Sequence, residues 1–332
     1  MFISKPAYYD SFRCIAGACP DSCCKEWAVQ VDPDAASFYR SLPGPLGDRL
    51  RQVLVEEDGD TILQIENGRC PMWRDDGLCR IQAEQGESAL CKTCREFPRL
   101  THDYGDFVER TLELSCPEAA RIILSAPTLP WVTEAVPGGE EPEYDPDAMA
   151  VLKATRHTML FLLADTSRPV EEVLALALLY GCQAQSELDG SEIAEFDAES
   201  AMDTIRQLQK AGDPGQIEEF FQTLEVLSDD WLQRLQHPSP AVWHDGYRNL
   251  ARYFVERYWL QAVSDYDLYS RMKFAIVSCL LIHRLGGDFL QTAQRYSKEI
   301  ENNADNVDAI LDAMYTCPAF TDDKVLGFLM NH

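Results

Sequence analysis

At 332 residues, with 46% apolar and 25% charged side chains, the chain is long enough for two hydrophobic cores and too apolar for wholesale disorder. A net charge of −26 repels nucleic-acid phosphates and anionic lipid, so neither nucleic acid nor a membrane surface is expected as a partner. Residues 1–125 carry 14 basic and 21 acidic side chains (net −7), and residues 126–332 carry 15 and 34 (net −19), a balance that favours cationic, lysine-bearing partners.

The N-terminus, MFISKPAYYDSF, lacks the charged start, apolar stretch and cleavage site of a secretory signal, and a cytoplasmic location is expected. Next comes FRCIAGACPDSCCKEW (residues 12–27), with four cysteines and an adjacent pair. TILQIENG and FVERTLELSC have the alternating or β-branched character of short strands, and PEAARIIL opens a helix with proline in its first turn. The stretch SAPTLPWVTEAVPGGEEPEYDPD (125–147) holds five prolines and two adjacent glycines, a composition that breaks helices and strands.

Beyond it, apolar residues recur at three- and four-residue spacing in DAMAVLKATRHTMLFLLA, EEVLALALLYGCQ, NLARYFVERYWLQAV, YSRMKFAIVSCLLIHRL and NVDAILDAMY, which predicts helices. None of these runs reaches the ~18–20 apolar residues of a membrane span. The expected architecture is α+β and mostly α. A small loop-rich, cysteine/metal-binding domain (1–125) leads through a Pro/Gly/acidic linker (126–147) to an α-helical bundle (148–332).

Nine of the twelve cysteines precede residue 117: Cys14, Cys19, Cys23, Cys24, Cys70, Cys79, Cys91, Cys94 and Cys116. An odd number in a chain without an export signal argues against a disulfide framework and for a thiolate metal site. Zinc sites usually pair CxxC knuckles, whereas only Cys91 and Cys94 have that spacing here and only His102 lies near. Thiolates gathered from distant loops suit an iron–sulfur cluster better, with zinc as the alternative. The CxxxCxxC signature of reductive S-adenosylmethionine enzymes fails at its third position, which is Glu26, and no strand-GxGxxG-helix pattern is present. Cys182, Cys279 and Cys317 lie in or beside apolar helices and read as structural.

The segments FRCIAGACPDSCCKEW, CPMWRDDGLCRIQAEQGESALCKTCREFPRL and LELSCPEAARIIL resemble, in order, the cysteine-rich region of the FliB-type flagellin lysine-N-methylases, which is related to the wider YkgJ-like cysteine-cluster proteins. RYFVERYWLQAV, MKFAIVSCLLI and YSKEIENNADN are similar to that family's helical region. The resemblance implies a protein-lysine N-methyltransferase that moves methyl groups from S-adenosylmethionine to surface lysines of flagellin. It also implies a [4Fe–4S] cluster held by a subset of the nine cysteines.

Lysine must lose its proton before it attacks a methyl sulfonium, so Glu299 and Glu301 in the polar stretch SKEIENN, with Tyr296 beside it, are candidates for catalysis, set against a solvated helix face. Arg95 and Arg99, which follow two cysteines, are candidates for binding the donor's carboxylate, set against ordinary salt bridges. Aromatic residues at helical spacing in 243–260 are expected in the core. The rival readings are a non-enzymatic metal or iron–sulfur carrier and a zinc-stapled adaptor.

Overall fold

The computed structural model describes residues 1–57, 59–126, 130–207 and 215–330; residues 127–129 of the expected linker and 208–214 and 331–332 of the expected helical bundle lie outside the described residues. The chain begins with β1 (Phe2–Pro6), followed by β2 (Val29–Gln30), α1 (Pro33–Ser41), α2 (Gly44–Val53), β3 (Leu54–Glu57) and β4 (Asp60–Leu63). The short helices α3 (Arg80–Gln85) and α4 (Lys92–Glu96) come next, then β5 (Arg99–Asp103), β6 (Phe107–Leu112), α5 (Pro117–Ser125) and β7 (Trp131–Ala135). The rest is helical: α6 (Pro146–Leu163), α7 (Val170–Leu188), α8 (Ala198–Arg206), α9 (Gly215–Phe221), α10 (Asp229–Gln236), α11 (Gly246–Tyr258), α12 (Leu268–Leu285), α13 (Phe289–Tyr296), α14 (Ala304–Thr316) and α15 (Asp322–Met330). The fold is therefore mostly α with a minor β component, as the periodicity predicts. Among the described residues no helix is long and apolar enough to cross a membrane.

Two hydrophobic cores organise these elements. The smaller is made by residues 29–94: Val29, Tyr39, Leu50, Leu63, Met72 and Ile81 close over Cys70 and Cys91. Its three strands pair antiparallel in the order β2-β4-β3. The larger core holds α7 and α12, which bury residues nearly all round, and it also takes in Tyr8, Phe12, Phe107, Leu112 and Leu114.

β1 and the stretch from β6 to α5 thus pack with the helices rather than with the cysteine-bearing core. The cause lies in β6, FVERTL, which is buried on both faces and so needs cover on both sides. Its sheet runs β5-β6-β1-β7, with β1 parallel to β6 and antiparallel to β7. β7 is a strand inside the segment whose prolines and glycines predict none. Its first three residues, Trp131, Val132 and Thr133, are aromatic or β-branched, and the strand gives β1 its second hydrogen-bonding partner.

Candidate metal centre and adjoining cleft

The nine N-terminal cysteines come from separate loops that local chemistry brings to one region. The backbone N–H of Cys70 donates to the carbonyl of Cys24 at 2.8 Å, stitching the loop of the adjacent pair to the loop after β4. Gly17 and Gly77 let the 14–19 loop lie directly on the turn before Cys79. A Cβ on Gly77 would stand 3.3 Å from the Cα of Gly17, and Gly77 has φ +79°. Asp32 ties in the CxxC pair: its carboxylate caps α1 through Ala35 N–H and also accepts from Lys92 N–H at 2.7 Å, at the start of the turn joining Cys91 to Cys94. Cys116 sits at the N-terminus of α5.

Within this region the thiols are in contact. The Cys23 and Cys70 thiols hydrogen-bond that of Cys24 and hold it well below the ordinary thiol range, at the expense of their own acidity. Cys94 does the same for Cys91. Burial pushes Cys116 up to about 11 and raises Cys79 and Cys19. Such sharing of protons between sulfurs is the protonated counterpart of a thiolate site, where a soft cation replaces the protons. Among the described residues no three Cys, His, Asp or Glu side chains are closed on one ion-sized point. His102, the histidine near the CxxC pair in sequence, lies on β5 opposite Glu109.

A cleft of about 540 Å³ opens beside the sulfurs, between the 15–25 loop and helices α5, α10 and α13. Four of its lining residues, Ile15, Pro20, Lys25 and Pro117, directly follow Cys14, Cys19, Cys24 and Cys116, and the wall sets Lys25, Arg121, Arg234 and Arg295 against Asp21, Glu118, Asp230 and Asp288. One side of the cleft is held shut by a buried ionic clamp. Lys298, 1% exposed, reaches Asp21 at 3.2 Å and Glu26 at 3.0 Å, with its ammonium 5.0 Å from the Trp27 ring centre. Arg295 pairs with Glu26 at 2.6 Å, and the Gln294 amide donates to Asp21 at 3.0 Å and to the Ser115 carbonyl at 2.8 Å. Burial raises both carboxylates. The cations and hydrogen bonds outweigh it, the Lys298 charge first for Asp21 and the Lys298 hydrogen bond first for Glu26, and leave both below their usual range.

The polar stretch after α13 is not a solvated face. Ser297–Glu301 form one π-helical turn in which all five residues are buried. Tyr296 shares a hydrogen bond of 2.6 Å with Ser278, and Glu299 accepts from Leu227 N–H at 2.7 Å and Ser228 Oγ at 2.5 Å. Glu301 accepts from the hydroxyls of Tyr253 and Tyr258 and pairs with Arg257 at 3.1 Å. Burial raises the pKa of Tyr296 and Glu299. None of the three lines the cleft.

Arg95 and Arg99 are exposed and lie outside the cleft wall; Arg95 donates to the Leu90 carbonyl at 3.4 Å, and Arg99 covers the Phe12 ring. The residues sequence reasoning passed over are Lys298, Asp21, Glu26, Arg295 and Gln294. The available signal was a lysine between two candidate positions, and two acids flanking Cys23 and Cys24. The aromatic 243–260 segment is core, with Tyr247, Tyr253, Phe254 and Trp259 all buried. Cys279 is fully buried and Cys317 packs on the large core.

The cysteine-bearing 15–26 loop is joined by ion pairs to the helices, with a cleft beside the joint, an arrangement able to receive a small ligand. The flagellar biosynthetic protein FliU of Salmonella muenchen is 33% identical over 132 residues, covering 38% of this chain and 78% of its own. Lysine-N-methylases of Salmonella typhimurium and Salmonella choleraesuis are each 31% identical over 160 residues, 46% of this chain and 35% of theirs. The chain belongs to the FliB-type flagellin lysine-N-methylase family, and the match spans about a third of the length of those two lysine-N-methylases. No protein-family model and no solved structure matches it.

Proposed function

We propose that the protein is a protein-lysine N-methyltransferase that takes methyl groups from S-adenosylmethionine and places them on surface lysines of flagellin, in the cytoplasm. A subset of its N-terminal cysteines would hold an iron–sulfur cluster. The observation that carries this reading is the cleft: it opens between the cysteine-bearing 15–25 loop and the helices, and residues following four of the cysteines form part of its wall. The donor set of thiolates with no histidine beside it is the soft kind that such clusters take. Bound there, a cluster supplies a polarisable, redox-capable centre at the cleft wall.

The chain's own residues have separable tasks. Arg121, Arg234 and Arg295 offer guanidinium groups for the carboxylate of an amino-acid-bearing donor. The strongly acidic helical half draws a lysine-bearing surface toward the protein. Asp21 and Glu26 are committed to the Lys298 clamp and keep the loop of Cys19, Cys23 and Cys24 in place rather than accept protons. The test is anaerobic purification with iron, sulfide and zinc analysis, followed by mass spectrometry of purified flagellin incubated with and without the donor. Donor-dependent gains of one methyl mass on lysine are expected, whereas zinc alone without methyl transfer overturns the reading and leaves an adaptor.

A further inference from the structure

We infer that the nine N-terminal cysteines make two adjoining thiolate sites: an inner one from Cys24, Cys70, Cys79, Cys91 and Cys94, and an outer one from Cys14, Cys19, Cys23 and Cys116. The inference rests on the reading of these cysteines as metal ligands and adds a partition to it. The inner five all belong to the small hydrophobic core. Cys70 and Cys91 are buried in it, and Cys24, Cys79 and Cys94 pack against it together with Trp27 and Leu90. None of the outer four does. Cys14 and Cys23 are exposed, Cys19 is half-buried, and Cys116 packs against the other, larger core.

The cleft follows this division except at the seam. Its wall includes the residues next to Cys14, Cys19 and Cys116 and no residue adjacent to Cys70, Cys79, Cys91 or Cys94, while Lys25, next to Cys24, also lines it. Cys116 faces Cys19 and Cys14 and Cys79 faces Cys24 and Cys91, with Cys23 between the groups, near Cys14 and Cys116 on one side and Cys24 and Cys94 on the other. The two sites meet where the adjacent Cys23 and Cys24 thiols touch. Each group has enough sulfurs for a tetrahedral site, which one four-thiolate site drawn from nine cysteines leaves unexplained.

The surroundings assign different roles. A site closed inside a core binds its metal as a structural element, and a water-accessible site at a cleft exchanges its metal and meets substrate. The inner site is therefore the staple of the small core. The outer site is the one whose metal or cluster neighbours the proposed methyl donor.

The test uses the full chain, purified anaerobically without metal and titrated with cobalt(II), whose thiolate charge-transfer absorption counts bound sites. The wild type is expected to bind about two equivalents, one resisting a chelator and one released by it. A C14S/C19S/C116S variant should keep its far-UV circular dichroism and thermal midpoint, lose the released equivalent and retain the resistant one. A C79S/C91S variant should lose the resistant equivalent; if it does not fold, the outer variant decides alone. A single equivalent in the wild type, or an outer variant that binds as much as the wild type or nothing, overturns the partition. If the single-equivalent protein still methylates flagellin, the partition falls and the proposed function stands. A wild type that binds neither cobalt nor iron removes the metal reading itself.

Discussion

Replacing Lys298 with methionine keeps the volume of the side chain and removes the one charge that both Asp21 and Glu26 share. At 3.0 and 3.2 Å each attraction is worth roughly 5 kcal/mol at an effective dielectric near 20. Two terms work against that gain. The buried ammonium gives back a desolvation cost of several kcal/mol. Arg295 still pairs with Glu26, and Gln294 and Lys25 still pair with Asp21. The net loss for breaking a buried, partly compensated pair is about 2–4 kcal/mol, or about 3–6 °C in thermal midpoint for a chain of this size.

The pH dependence follows from the two depressed carboxylates, whose unperturbed values are 3.8 and 4.5. Their contribution is fully present above those values and is lost as pH falls through the lower folded-state values. The gap between wild type and K298M is therefore widest above about pH 5 and narrows in acid as the carboxylates protonate. Circular-dichroism melts at pH 7.5 and pH 4 measure it, with K25M, on the partly exposed partner of Asp21, as a control expected to cost less than about 1 kcal/mol. A K298M melt superimposable on wild type at pH 7.5 would refute the clamp.

Glu301→Gln leaves the Arg257 guanidinium buried without its closest carboxylate, so urea unfolding should report a loss of about 2–4 kcal/mol; a loss below about 1 kcal/mol contradicts a buried ion pair. Cys279→Ser puts a hydroxyl at a fully buried position in the middle of α12 and should cost about 1–3 kcal/mol while metal content stays at the wild-type value. Metal loss in that variant would place Cys279 among the ligands.

The helical half was legible because its signal is local. Apolar residues at three- and four-residue spacing in 249–263 or 269–285 state both the helix and its buried face, and α11 and α12 follow. The gathering of nine cysteines was legible as chemistry for the same reason, since thiol count and spacing sit in the sequence itself. What stayed hidden depends on partners distant in the chain. Lys298 and Asp21 are 277 positions apart, and nothing near SKEIENN says that its lysine will be sealed against Trp27. The same segment reads as a solvated face because it is polar. In the structure its two carboxylates are satisfied by Ser228, Tyr253, Tyr258 and Arg257, which offsets the cost of burying them. β7 was hidden by the prolines around it; only the pairing with β1 makes Trp131–Ala135 a strand.

The placement of positive charge ties the clamp to the cleft. In a chain with 55 acids against 29 Lys and Arg, five basic side chains, Lys25, Arg121, Arg234, Arg295 and Lys298, surround the 15–25 loop and the cleft beside it. Anionic sulfurs near a cleft need compensation, and a cluster carrying net negative charge needs it more. Lys298 already acts in this way on Cys24, adding to the hydrogen bonds that favour its thiolate. The cleft wall sets Asp21, Glu118, Asp230 and Asp288 against Lys25, Arg121, Arg234 and Arg295, so it offers partners to both charges, whereas the helical surface outside is acidic. Under the proposed function that mixed wall serves both substrates: the guanidinium groups meet the donor's carboxylate, and the carboxylates meet the ammonium of a lysine arriving from the acidic side.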